Sequence, residues 1–150
     1  MVQIRPYRSS DAQAVSEVIR TTMRVSNAAD YPMEQLEPLI DYFSPEKVEQ
    51  INRDRTCLVA EEDGQVIGTA ALENDELVTF FIVPKYQGRR VGTALLERLE
   101  SIAREQGVAQ LKVGSSLTGA AFYERHGYQR TAGVVEGTAG PQILMRKLIQ

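Results

Sequence analysis

The sequence predicts an α/β (α+β) fold, a mixed and mostly antiparallel sheet with flanking helices. Short strand-like runs bounded by turn residues recur along the chain, three of them in direct succession over residues 56–83. Three helical patterns are gathered ahead of that meander rather than spread between its strands. One long amphipathic helix then separates two apolar strands, and a connection of that length lays the strands parallel.

The elements follow in chain order. Val2 to Tyr7 alternates apolar and polar side chains, as a half-buried strand does. Ser9, Ser10 and Asp11 offer caps for a first helix, with Ala14, Val15, Val18, Ile19 and Thr22 at helical spacing. Asn27 to Pro32 breaks it, and a second helix begins near Met33 with Leu36, Leu39 and Ile40 inward. Ser44-Pro45-Glu46 starts a third, with proline at the first helical position and Val48 and Ile51 apolar. Thr56 to Ala60 and Val66 to Leu72 are strands joined by the hairpin turn Glu62-Asp63-Gly64-Gln65. Asn74-Asp75 turns into Leu77 to Val83, which is almost wholly apolar and should be a central strand ended by Pro84.

Val91 to Gln106 carries Leu95, Leu96, Leu99, Ile102 and Ala103 on one helical face, with Gly107 at its C-cap. Leu111 to Gly114 is a strand, Gly119 to Arg125 a short helix and Tyr128 to Ala132 a strand. Gln142 to Leu148 closes the sheet after a turn over Gly137–Pro141. The crossover through 91–106 is expected to be right-handed.

Length and composition bound the function. A chain of 150 residues suits one domain, 1–150, and a 43% hydrophobic content is ordinary for a globular core. The net charge of −3 gives no reason to expect nucleic acid as a partner, so any bound anion must be held locally. One cysteine, Cys57, excludes an internal disulfide, and one Cys with one His speaks against a protein-built metal site. No run approaches the ~18 apolar residues of a membrane span. The N-terminus runs straight into strand-like sequence without a signal-peptide core, so a cytoplasmic location is expected.

The most informative stretch is Val83-Pro84-Lys85-Tyr86-Gln87-Gly88-Arg89-Arg90-Val91-Gly92-Thr93-Ala94. It joins the buried strand to the start of the amphipathic helix, where free N–H groups and the positive dipole end favour an anion. Gly88 and Gly92 would let backbone approach a phosphate, Arg89 and Arg90 add charge, and Thr93 a hydroxyl. Neither a nucleotide P-loop nor a dinucleotide GxGxxG pattern is present. An ordinary glycine turn with solvated arginines accounts for the same residues equally well.

This stretch resembles the central motif of the GNAT superfamily of acyl-CoA-dependent N-acyltransferases. Ile82, Pro84, Tyr86, Gln87, Gly88, Gly92, Leu95 and Leu96 fill the family's places, while Arg90 stands where the family usually has Gly. A second block, Ser116-Leu117-Thr118-Gly119-Ala120-Ala121-Phe122-Tyr123-Glu124-Arg125-His126-Gly127-Tyr128, looks like the family's later helix, with Thr118 in place of the usual Asn. The resemblance is clear over roughly residues 56–130 and faint at both ends. It implies a single N-acetyltransferase domain with acetyl-CoA as co-substrate and no metal. Gln87, Gly88, Arg89, Arg90, Val91, Gly92 and Thr93 would wrap the pyrophosphate, with a contact from Thr118. Backbone groups of Phe80, Phe81 and Ile82 would pair with the pantetheine arm, in a slot opened where strands 77–83 and 110–114, a parallel pair, splay near Ile82.

Acyl transfer from a thioester to an amine needs a base, a donor to the growing oxyanion and an acid for the leaving thiolate. Tyr123 looks like the family's acid, since a phenol of pKa about 10 suits a thiolate of about 8.5. Packing beside Phe122 is its structural alternative. Glu76 stands where some members carry a glutamate that takes the amine proton through water, although Glu73, Glu76 and Asp75 also read as a solvated hairpin. The oxyanion would meet a backbone N–H near Phe81 or Ile82. The family's first two helices form the acceptor side, so Asp30 could hold a cationic amine and Tyr31 cover it. A capped loop with Asp30 as N-cap and Tyr31 as packing reads as well. Cys57 reads as a buried small hydrophobe and His126 as a helix C-terminal cap.

The expected partner is a small-molecule amine, with no nucleic acid and no membrane, and a homodimer is compatible with this reading. Two alternatives stay open: a non-catalytic acyl-CoA-binding sensor, and a protein N-terminal or lysine acetyltransferase, which would need an open groove for its peptide.

Overall fold

The computed structural model describes residues 1–137 and 140–150. Its strands are β1 (Gln3–Pro6), β2 (Thr56–Glu62), β3 (Gln65–Glu73), β4 (Glu76–Ile82), β5 (Gln110–Ser115), β6 (Gln129–Gly137) and β7 (Gly140–Leu148). The helices are α1 (Ala12–Val25), α2 (Met33–Tyr42), α3 (Pro45–Asn52), α4 (Val91–Glu105) and α5 (Ala120–Arg125). The strands form one sheet in the order β1-β2-β3-β4-β5-β7-β6, antiparallel throughout except for the pair β4–β5. Every element read from the sequence is present. The last hairpin differs most in its bounds, since β6 runs on to Gly137 and β7 starts at Gly140. The expected Gly137–Pro141 turn includes Thr138 and Ala139, which lie outside the described residues.

Local chemistry explains the joints. Asp63 and Gly64 both have positive φ (53° and 78°), the two-residue turn that matches strand twist. Ser44 caps α3 by accepting from the Lys47 N–H, with Pro45 at the first helical position. Asp11 behaves differently from the cap expected of it. Its carboxylate accepts from the Arg8 N–H and both terminal nitrogens of Arg5, which ties the end of β1 to a 3-10 turn before α1.

Two cores lie on the two faces of the sheet. Leu95, Leu96, Leu99 and Ala103 of α4 are almost fully buried against β3, β5 and β7, each leucine worth about 2 kcal/mol on removal from water. Glu100 is buried on that same face, where it accepts from Tyr128 and Lys147. On the other face Val15, Ile19, Leu36, Ile40 and Val48 of α1–α3 pack on Val59. Covered on both sides, β3 is buried without a break from Ile67 to Leu72.

The strand pair β4–β5 opens earlier than the sequence suggested. Pairing is confined to Glu76 with Lys112 and Leu77 with Val113, so the strands part after Leu77 rather than near Ile82. The cause is a bulge against β3 at Thr79, whose φ of +45° a β-branched residue adopts only under strain. The extra residue resets the alternation. Leu77 and Phe80, three apart, both face the α4-side core, and Phe81 joins the opposite one. Val78 to Ile82 stay only half-buried in mid-sheet because β5 has left their edge.

Candidate active site

The parting of β4 and β5 opens a cavity of about 900 Å³ that reaches from the start of α4 to the α1–α2 connection. At one end lies the loop after β4. Pro84–Tyr86 forms a 3-10 turn, Gly88 has φ +79°, and Arg90 is the N-cap of α4 with φ +66°. A left-handed residue is what this turn requires at position 90, which accounts for the glycine usual there in the family it resembles. Arginine holds the same conformation here at a cost of about 1 kcal/mol. The Arg90 side chain is exposed and lines the cavity.

Several expected ligands are placed otherwise than the motif suggested. The Arg89 guanidinium lies over the Tyr86 ring and 3.9 Å from Glu62, outside the cavity lining. Val91 is buried, so only its backbone can serve an anion. The Gln87 amide turns back to Ser26 Oγ (3.1 Å) and the Ile82 carbonyl (3.0 Å), pinning the loop to α1. Gly92 was expected to leave room for phosphate. A Cβ there would instead meet Phe122 ring atoms at 3.1 and 3.2 Å, so the missing side chain admits an aromatic ring. Gly88 does face open space.

Thr93 is paired with His126, a residue whose sequence position suggests a helix C-terminal cap. His126 Nδ1 lies 2.9 Å from the Phe122 carbonyl and donates to it, and a neutral ring then accepts at Nε2 from the Thr93 hydroxyl at 3.0 Å. His126 and Arg125 both line the cavity, a placement no local signal reveals because the Thr93 contact spans 33 residues.

Tyr123 projects to the cavity from an aromatic cluster, with ring centroids 5.8 Å from Phe80, 5.3 Å from Phe122 and 5.6 Å from Tyr128. Burial alone pushes its phenol above the ordinary value. Glu76, exposed at the start of β4, also lines the cavity. Backbone groups along β4 divide by alternation. The bond from Val83 N to Ile67 O (2.9 Å) means that Phe81 turns its N–H toward β3 and Ile82 turns its own away, toward the parted edge. The Ile82 carbonyl already accepts from Thr22 (3.1 Å) and Gln87.

The acceptor-side expectations are redistributed. Asp30 lies outside the cavity lining and accepts from Thr118 at 2.8 Å, so the two residues expected to touch different ligands bond to each other. Asp30 is not a cap for α2 either, since Pro32 holds that position. Tyr31 is buried; its hydroxyl donates to the Pro141 carbonyl (2.7 Å) and accepts from the Leu117 N–H (2.8 Å). These bonds stitch the α1–α2 connection to the β5–α5 loop and the start of β7. Cys57 is buried beside Thr69, and desolvation pushes its thiol up to about 11 against a lowering by the Thr69 contact. Among the described residues no group of His, Cys, Asp or Glu could hold a metal, and no helix is long and apolar enough to cross a membrane.

A sheet parted at one parallel pair, with a helix N-terminus at the mouth of the gap, is the architecture of an acetyltransferase of the GNAT class. A model of the GNAT acetyltransferase domain matches residues 27–148, and the chain belongs to this family of N-acetyltransferases. It is similar to the spermidine N(1)-acetyltransferase of Thermoplasma acidophilum, 27% identical over 97% of this chain and 96% of the relative. Among solved structures, a GCN5-related N-acetyltransferase from Rhodopseudomonas palustris superposes with a TM-score of 0.90, at 27% identity over 97% of this chain and 94% of that one. The PaiA N-acetyltransferase of T. acidophilum, solved in complex with coenzyme A, gives 0.82 at 25% identity over 99% of both chains.

Proposed function

We propose that the protein moves the acetyl group of acetyl-CoA to the amine of a small molecule by direct attack in a ternary complex. The observation that carries this reading is the gap between β4 and β5, which joins the start of α4 to the Tyr123 phenol. Its two parts fit that co-substrate. Unsatisfied N–H groups at the start of α4, the open side of Gly88 and the Arg90 guanidinium suit a pyrophosphate. The unpaired edge of β4 suits an amide-bearing arm laid along it as an added strand. The Ile82 carbonyl is occupied, so Phe80 and the Ile82 N–H are the groups left for arm and oxyanion.

In this mechanism Glu76 takes the ammonium proton through water. The amine nitrogen attacks the thioester carbonyl carbon, the C–N bond forms, and the C–S bond breaks. Tyr123 gives its proton to the departing sulfur, and the proton lost by the amine restores the balance through solvent. The Tyr31 bridge supports a small acceptor over a peptide, because it ties the α1–α2 connection to the β5–α5 loop and the start of β7 at the cavity lining. The name of the Thermoplasma relative adds support for an amine acceptor.

The test is thiol release from acetyl-CoA with free amines and, separately, with peptides bearing a free N-terminus or lysine. Release with free amines is expected. Release with peptides alone would move the acceptor to proteins, and coenzyme A binding without release in any mixture would overturn the catalytic reading.

A further inference from the structure

We infer that the acceptor is a monoamine with an apolar aliphatic or aromatic body, not a polyamine; this rests on the acetyltransferase reading above and names its substrate class. Among the described residues lining the cavity, Glu76 is the one carboxylate. Leu77 belongs to the α4-side core, so alternation turns Glu76 and Val78 to the opposite face, where Phe81 also packs. That face continues into Met23, Leu36, Leu39 and Phe43, all of which line the cavity. The wall beyond Glu76 is therefore largely apolar and carries no charge, with Thr79 and Thr22 adding only hydroxyls, the latter committed to the Val18 and Ile82 carbonyls. Tyr31, the polar group nearest in kind, has its hydroxyl committed to Leu117 and Pro141. Ser26, Asn27 and Gln142 are neutral, and the cationic side chains Arg90 and Arg125 come from the α4 N-terminus and the end of α5.

One ammonium can thus pair with Glu76 while its carbon body covers the wall. A second ammonium, spaced four to six carbons away, would be stripped of water against leucine and phenylalanine with no counter-charge. A spermidine acceptor would carry two further ammonium groups beside the one at Glu76.

The experiment measures binding by titration calorimetry to protein saturated with coenzyme A, then thiol release with acetyl-CoA. The probes are hexylamine, 2-phenylethylamine, 1,6-diaminohexane and spermidine. Either monoamine should bind at least tenfold more tightly than the diamine, about 1.4 kcal/mol. Leu39→Glu, on a half-buried position, should narrow that ratio by giving the second ammonium a partner. Equal or tighter binding of diamine or spermidine to the wild-type protein overturns the inference, as does binding of none of the four. Preferred monoamine binding without thiol release keeps the acceptor class and overturns the acetyl-transfer reading instead.

Discussion

Tyr123 reaches the cavity from inside an aromatic cluster, and burial holds its phenolic proton more tightly than water does. The match between a phenol and a thiolate is therefore looser in the free protein than ordinary values suggest. In the proposed mechanism the protonated phenol is the active form, so rate is lost as pH rises through its raised pKa, above about 10. Tyr123→Phe keeps the ring's packing and removes the donor. Turnover should fall roughly 10²-fold or more, with coenzyme A affinity retained and the alkaline limb of the rate profile altered. Near-normal turnover by this variant would remove Tyr123 from the mechanism. Arg90 combines two separable properties, a positive φ and a cationic side chain at a helix N-terminus. Arg90→Ala and Arg90→Gly should both weaken coenzyme A binding several-fold by calorimetry. Only the glycine variant should also relieve strain, about 1 kcal/mol in denaturant unfolding relative to the alanine variant.

Between elements, contacts far apart in sequence set the shape of the cleft. The first turn of α4 lies against Phe122 of α5 because Gly92 has no side chain. Gly92→Val should push that ring, costing about 1–3 kcal/mol of stability by overpacking, and any loss of coenzyme A affinity should come with a lowered melting temperature. Weakened binding at unchanged stability would restore the simpler picture of a side chain against phosphate. The Tyr31 hydroxyl joins three segments through two hydrogen bonds. Tyr31→Phe leaves the Leu117 N–H and the Pro141 carbonyl without that partner, at a cost of about 1–3 kcal/mol. Hydrogen exchange should show the Leu117 amide losing protection while α4 amides keep theirs. Unchanged protection at Leu117 would mean that the bridge does not hold the cavity wall.

For the molecule as a whole, titrating groups define a pH window of stability. Tyr7, Tyr123 and Tyr128 have raised values, burial being the first cause in each and a carboxylate neighbour adding to it for Tyr7 and Tyr128. A raised phenol stabilises the fold fully below its unfolded value of about 10, and that contribution is lost as pH climbs toward the folded value. Asp11 has the opposite sign. Its bonds to Arg5 hold it below the ordinary range, so its contribution is present above about pH 4 and lost as pH falls through the folded value. Melting temperature against pH should fall at both ends, and Arg5→Ala should flatten the acid limb alone. An unchanged acid limb would show that the Arg5–Asp11 pair is not its source. Cys57 offers an internal check, since a buried thiol raised to about 11 should react with thiol reagents only as the fold opens.

Legibility followed the range of the interaction. The helices, the meander, the crossover and the two motif blocks were readable because each depends on neighbours a few residues apart: the apolar spacing of Leu95, Leu96 and Leu99, the Asp63-Gly64 turn, the Pro84 stop. The resemblance of residues 83–94 and 116–128 to one family pointed to the class of enzyme that the matched domain shows. Side-chain destinations were beyond that reach. Thr93 meets His126, Gln87 meets Ser26, Thr118 meets Asp30, and Gly92 makes room for Phe122, each across 30 residues or more. The parting of β4 from β5 at Leu77 depends on a bulge at Thr79, which no glycine announces. Local spacing decides which face an element buries, because a residue's direction is set by helix or strand period. Which distant group stands on that face is decided only when the sheet assembles and α1, α4 and α5 are packed around the gap.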